Sequence, residues 1–124
     1  MPARIVNSDM AYILIVDSQA EFRQQLVRLL EKVGHRAAAV PTISEAGAIL
    51  QAGVPDLLAT DAVLIEGSST SLVKQAEELG AKTLMMTGSP DRIIAFDGAG
   101  QRYLSKPFPP DVFLQRVEEI LAAS

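Results

Sequence analysis

The chain contains no cysteine. A disulfide framework, a thiolate metal centre and a cysteine nucleophile are therefore excluded. Histidine occurs once, as His35, which excludes a multi-histidine metal centre and leaves little room for a Ser–His hydrolase. Aromatic residues make up only 5%, few for a flavin-lining site. No apolar run approaches the ~20 residues needed to cross a bilayer, and residues 1–10 (MPARIVNSDM) lack the apolar core of a signal peptide. A cytoplasmic setting without membrane attachment is expected. The 11 Lys and Arg residues are scattered and the net charge is −4, so the basic footprint of a nucleic-acid binder is missing.

What is present is the composition of one globular domain: 124 residues, 48% apolar and 21% charged. At this length about two-thirds of the unfolded surface is buried on folding, enough for a core without staples. Residues 1–11 read as an N-terminal tail and residues 12–124 as a single domain.

Tyr12–Val16 (YILIV) is a short run rich in Ile and Val, the pattern of a strand buried on both faces. Ser18 and Glu21 have capping-box spacing. Phe22, Leu26, Leu29, Leu30 and Val33 then fall on one helical face, which Gly34 is placed to stop. Arg36–Val40 is a weak second strand. Thr42 and Glu45 form a second capping box, opening a helix that ends near Gly53. Leu57–Thr60 is a third strand, Gly67–Ser71 a polar loop, and Leu72–Leu79 a helix closed by Gly80. Thr83–Met86 is a fourth strand. Pro90 opens a short helix ending at Asp97-Gly98, Tyr103-Leu104 is a fifth strand, and Pro110 leads into a last helix carrying Phe113, Val117, Ile120 and Leu121. Strand and helix alternate five times with short connections. That order predicts an α/β fold, a (βα)5 doubly wound parallel sheet in three layers.

In such sheets ligands bind beyond the carboxyl ends of the strands. Those ends carry Asp17, Asp61, Thr87 and Lys106. Two carboxylates with oxygen donors suit Mg2+, and a lysine beside them suits a phosphoryl group. An aspartate held there can also act as a nucleophile that forms an aspartyl phosphate.

Four segments, ILIVD (13–17), PDLLATD (55–61), MMTG (85–88) and YLSKPF (103–108), stand in order along the chain, each at a strand end. Together they resemble the receiver domain of two-component response regulators of the chemotaxis-regulator type. The resemblance covers residues 12–122 and implies a flavodoxin-like strand order, 2-1-3-4-5. It implies that Asp61 accepts a phosphoryl group from a phosphohistidine on a sensor histidine kinase or phosphotransfer protein. It implies that Asp17, Asp61 and the backbone carbonyl of Val63 hold Mg2+. Lys106 would pair with Asp61 or its phosphate, and Thr87 would bond a phosphoryl oxygen. Gly88 would leave the phosphate access, and Tyr103 would be the switch aromatic. The output would be a downstream protein target, with the chain a stand-alone monomer or weak homodimer and a signalling switch rather than a turnover enzyme.

The chain departs from the family pattern after the first strand, where a second acid is usual and Ser18 stands instead. Ser18 can offer a neutral oxygen, directly or through water, or serve as a helix cap. Ile65 stands where the family has proline, Ser69 where it has glycine, and the third and fourth helices look trimmed. These departures motivate an alternative, a pseudo-receiver that binds partners without phosphorylation. His35, in a Gly-His-Arg turn, is expected to be a solvated loop residue. A haloacid-dehalogenase-like phosphatase is disfavoured because neither Asp17-Ser18-Gln19 nor Asp61-Ala62-Val63 forms the required D-x-D pair. A flavodoxin-like electron carrier lacks its phosphate loop.

Overall fold

β1 (Tyr12–Val16) lies inside the sheet, and Ile13 to Val16 are all fully buried. A computed structural model describes residues 11–123; residues 1–10, most of the expected tail, lie outside it. Ala11 is buried, and its carbonyl accepts a hydrogen bond from the Arg36 N–H at 2.9 Å. After β1 come α1 (Ala20–Lys32), β2 (Arg36–Val40), α2 (Ile43–Ala52), β3 (Leu57–Asp61), β4 (Val63–Leu64), β5 (Gly67–Ser68) and α3 (Thr70–Glu78). β6 (Lys82–Thr87), α4 (Pro90–Ala99), β7 (Tyr103–Ser105) and α5 (Pro110–Ala122) complete the chain. The main sheet is parallel, ordered β2-β1-β3-β6-β7. Counted by its own five strands this is the flavodoxin-like order 2-1-3-4-5.

Alternation along the strands divides the core in two. Ile13, Ile15, Leu57, Ala59, Leu84 and Met86 face Leu26 and Leu30 of α1 and Phe113, Val117 and Ile120 of α5. Leu14, Val16, Leu58 and Met85 face Ala46 and Leu50 of α2 and Leu72, Val73 and Ala76 of α3. Each of the larger of these side chains contributes about 1.5–3 kcal/mol by leaving water. Lys82 fastens the end of α5 to the sheet by donating from Nζ to the Ile120 carbonyl at 3.0 Å and to the Ala123 carbonyl. A cation there also complements the helix dipole. Among the described residues no helix is long and apolar enough to cross a membrane.

Local chemistry explains most boundaries. Thr42 caps α2 as its spacing with Glu45 predicts: its Oγ1 accepts the Glu45 N–H at 3.1 Å and donates to Glu45 Oε2 at 2.8 Å. Gly34, at φ +100°, makes the left-handed turn between α1 and β2. α4 runs to Ala99, just past the expected stop at Asp97-Gly98, because the left-handed residue that ends it is Gly100.

Three local expectations are corrected. Ser18 does not cap α1. The N-cap is Gln19 without a side-chain bond, and the Gln19 N–H instead goes to Asp17 Oδ1 at 2.9 Å, an Asx turn. The loop over Gly67–Ser71 is partly a two-stranded antiparallel hairpin, β4 with β5, followed at once by α3. His35 is not solvated: it is 3% exposed, and its Nε2 lies 2.6 Å from Glu118 Oε2 on α5. Packing of α5 across the α1–β2 turn buries the ring.

Candidate functional site

The strand register brings the predicted side chains to one edge. Val16 pairs with Thr60, Asp61 with Met86, and Thr87 with Ser105, so Asp17, Asp61, Thr87 and Lys106 all emerge at the carboxyl end of the sheet. Lys106 is the hub. Its Nζ donates to Asp17 Oδ2 at 2.7 Å and lies 3.4 Å from Asp61 Oδ2. It also sits 4.6 Å from the centroid of the Phe22 ring.

Asp17 is fully buried. Its two carboxylate oxygens are divided between the Gln19 N–H and the Lys106 ammonium. Arg23 of α1 donates to the Asp17 backbone carbonyl at 2.7 Å, a contact that no sequence motif signals. The Asp61 side chain is more open, 20% exposed against 0% for Asp17. Partial burial pushes the Asp61 carboxyl pKa upward; the Lys106 charge opposes this and the Asp17 charge adds to it.

The backbone that aims Asp61 is held by Ser69. The Ser69 hydroxyl, fully buried, donates to the Asp61 carbonyl at 2.7 Å and approaches the Ala62 carbonyl at 3.3 Å. Thr60 Oγ1 also donates to the Asp61 carbonyl, at 3.0 Å. Sequence reasoning noted Ser69 only as a departure from a glycine. Its supporting role comes from the hairpin, which returns Ser69 beside Ala62 through the Ser69 N–H to Ala62 carbonyl bond at 3.0 Å.

Val63 opens β4 and pairs with Ser68, while Leu64 pairs with Gly67. Hydrogen-bonded and non-bonded pairs alternate along an antiparallel ladder. Because Ser69 bonds to Ala62, the Val63–Ser68 pair takes the non-bonded position, which leaves the Val63 carbonyl out of the ladder. Ser18 is exposed beside Asp17.

Two carboxylates that share one ammonium bring hard oxygen donors to this edge, and the Val63 carbonyl is left out of its own ladder. Among the described residues no cluster of three or more carboxylate or histidine ligands occurs. The donor set fits Mg2+, which uses one or two carboxylates and keeps several waters.

Thr87 is buried, and its Oγ1 accepts the Ser89 N–H at 3.1 Å at the start of α4. Its carbonyl accepts the Lys106 N–H at 2.8 Å, fixing the loop that carries the lysine. A methyl group at Gly88 would stand 3.7 Å from the Lys106 carbonyl, so a small side chain fits there. Tyr103 is half-buried and faces α4. Its ring lies 6.1 Å from that of Phe96, and a hydrogen bond with Asp97 pushes its phenol pKa up. No hydrogen bond joins Tyr103 to Thr87 among the described residues.

Comparison with known proteins identifies the family and the fold. Residues 13–118 match the family described as the response regulator receiver domain. The transcriptional regulatory protein TcrA of Mycobacterium tuberculosis is 28% identical over 113 residues, covering 87% of this chain and 45% of that protein. The phosphate regulon transcriptional regulatory protein PhoB of Pseudomonas aeruginosa is 27% identical over 116 residues, covering 88% and 51%. The chain thus spans about half the length of these relatives. Among solved structures, a CheY-like receiver domain protein from Methanospirillum hungatei superimposes with a TM-score of 0.81 at 28% identity, covering 90% of this chain and 94% of that one. A putative response regulator from Chloroflexus aurantiacus gives 0.79 at 29% identity, covering 92% and 99%. The chain belongs to the response regulator receiver domain family, whose members are switches of two-component signalling rather than enzymes.

Proposed function

We propose that the chain is a working phosphoacceptor and that Asp61 takes a phosphoryl group from a phosphohistidine on a sensor histidine kinase or phosphotransfer protein. The observation that carries this reading is the partly open Asp61 carboxylate at a strand end, 3.4 Å from the Lys106 ammonium. In the transfer an Asp61 carboxylate oxygen bonds to phosphorus as the phosphorus–nitrogen bond to the donor histidine breaks. The imidazole leaves and takes a proton from solvent. Little covalent chemistry is asked of the protein; positioning and charge neutralisation do most of it.

Lys106 supplies one fixed positive charge to the phosphoryl oxygens. Thr87 Oγ1 accepts from Ser89 and keeps its own O–H free in valence to donate to a phosphoryl oxygen. Gly88 leaves room beside it. Asp17, Asp61 and the Val63 carbonyl would hold Mg2+, with Ser18 contributing weakly or through water, and the ion when bound neutralises further phosphoryl charge. The switched output is a protein-binding surface that includes Tyr103, whose present partners on α4 are Phe96 and Asp97.

Two features favour a second reading, a pseudo-receiver that binds partners without phosphorylation. Ser18 replaces the expected acid, and Lys106 lies nearer Asp17 than Asp61. Intact-mass spectrometry after incubation with acetyl phosphate and Mg2+ separates the two. A single phosphoryl increment on the wild type, absent from Asp61→Ala and absent without Mg2+, supports the phosphoacceptor. No increment from acetyl phosphate or from a phosphohistidine donor supports the pseudo-receiver. An increment that survives Asp61→Ala would put the acceptor elsewhere.

A further inference from the structure

The first-strand loop and the last-strand loop meet at a ring. Phe22 belongs to the apolar face of α1, and its spacing alone assigns it to the core. In the structure it is only partly buried, and its ring carries the Lys106 ammonium 4.6 Å from the centroid. That lies within cation–π range. Lys106 is 23% exposed, so water screens the contact only in part.

The ring is itself braced. Phe22 meets Phe108 edge-on, with centroids 5.7 Å apart and planes at 62°. Phe108 stacks on Phe113 at 5.7 Å and 14°. Phe113 is fully buried among the α1–α5 core residues. Phe108 follows Lys106 by two residues, so one loop supplies both the cation and the ring that backs its platform.

We propose that Phe22 is a positioning residue for Lys106, its ring face holding the ammonium poised between Asp17 and Asp61. The inference rests on the reading of Asp61 as phosphoacceptor. A lysine stem has four rotatable carbons, and its free rotamers must be restricted if the charge is to act in one place. The two carboxylates hold it by neutralising it. The ring holds it without neutralising it, because the attraction comes from a quadrupole. It is also weakly directional across the ring face. The ammonium can therefore move from Asp17 toward a phosphoryl group on Asp61 while keeping its third contact. An aliphatic side chain of similar size fills the same space and provides no such surface.

The test compares wild type, Phe22→Leu and Phe22→Tyr. The rate of phosphorylation by acetyl phosphate with Mg2+ is measured by intact mass, and thermal unfolding is measured beside it. Phe22→Leu is expected to slow phosphorylation about 3- to 10-fold, the scale of one partly exposed cation–π contact, while remaining folded at the assay temperature. Phe22→Tyr, which keeps the ring, is expected to stay within about twofold of wild type. A Phe22→Leu rate equal to wild type, or a Phe22→Tyr rate as low as that of Phe22→Leu, would overturn the proposal.

A second readout does not depend on turnover or on the variants folding. In the wild-type protein the ε-methylene protons of Lys106 should be shifted upfield of those of the other lysines by the Phe22 ring current. Unshifted protons would overturn the proposal. A wild type that accepts no phosphoryl group while showing the shift would overturn the phosphoacceptor reading and leave the ring–lysine contact as a structural one, which also removes the positioning role.

Discussion

Glu66 caps a helix that it does not belong to. From the tip of the β4–β5 hairpin, Oε2 accepts the Ser44 hydroxyl at 2.5 Å and the Ser44 N–H at 3.4 Å, while Oε1 accepts the Ile43 N–H. These groups form the first turn of α2, where free N–H groups and the helix dipole favour an anion. The segment that follows Asp61 is thereby fastened to a neighbouring helix. The Ser44 hydroxyl bond holds the Glu66 carboxyl below the ordinary carboxylate range; burial opposes this, and the Ile43 and Ser44 N–H groups add to it.

A pH dependence follows. A carboxyl with a lowered pKa in the folded state stabilises that state above its unfolded pKa, and the contribution is lost as pH falls through the lowered value. Glu66→Gln should therefore melt below wild type at neutral pH, with the gap closing as pH drops below the usual glutamate range of about 4.3. Thermal melts of both proteins across that range check it. A gap that stays constant with pH would assign the clasp to shape rather than to charge. Hydrogen exchange at residues 63–68 should quicken in the variant, because the hairpin loses its outer anchor.

Asp61 should behave in the opposite sense. Burial raises its carboxyl pKa, and Asp17 adds to that against the Lys106 charge. A raised folded-state pKa means the folded state binds the proton more tightly. The stability associated with this proton is present below the unfolded pKa and lost as pH rises through the folded value. Asp61→Asn, which keeps the shape without the charge, should gain stability relative to wild type as pH rises from the acid range toward neutrality. Urea titrations at acid and neutral pH measure the difference directly. A variant that loses stability with rising pH would show that the Lys106 contact outweighs burial.

The Lys106–Asp17 pair should be costly to break from one side only. Asp17 is fully buried, so removing the ammonium strands a carboxylate that keeps only the Gln19 N–H. One-sided loss from a fully buried pair costs about 3–5 kcal/mol. Lys106 is 23% exposed, and solvent screening brings the expected cost of Lys106→Met to roughly 2–3 kcal/mol. Asp17→Asn in the same chain should recover most of that loss, because the fully buried charge is gone and only the partly exposed Asp61 carboxylate is left without its cation. Urea unfolding of both singles and the double gives the coupling. Strict additivity would deny the pair.

Four sheet strands, β1, β3, β6 and β7, and the site residues at their ends were legible because each is a short apolar run that leads into a polar residue; β2, which runs from Arg36 to Val40, is the weak one. In a parallel sheet those ends share an edge, so Asp17, Asp61, Thr87 and Lys106 follow from order alone. The unpredicted parts depend on contacts between distant positions. The β4–β5 strands are two residues each, too short for any period, and the hairpin is tied by Glu66 to Ser44, 22 residues earlier. His35 has Gly and Arg beside it, a polar-looking turn, yet its partner Glu118 stands 83 residues away. Ser18 fits the capping pattern, but the neighbouring Asp17 oxygen takes the N–H that opens the turn. Two acceptors stood within reach of the first turn, and the pattern does not say which wins.

That outcome at Ser18 bears on the metal. Since Ser18 does not cap α1, nothing in the helix start requires a serine there. Two carboxylates and one ammonium leave the edge with a single net negative charge, where a second acid would leave two. Ser18 is exposed, so an acid at that position would act through a largely aqueous dielectric. One added charge a few ångströms from a divalent ion is then worth roughly 1–2 kcal/mol. Ser18→Asp should therefore bind Mg2+ about tenfold more tightly than wild type. Calorimetric or NMR titration with Mg2+ in a fixed salt background provides the comparison, and raising the salt should narrow the gap as an exposed charge is screened. Equal affinities would mean that the Ser18 oxygen, directly or through a water, serves the ion as well as a carboxylate does.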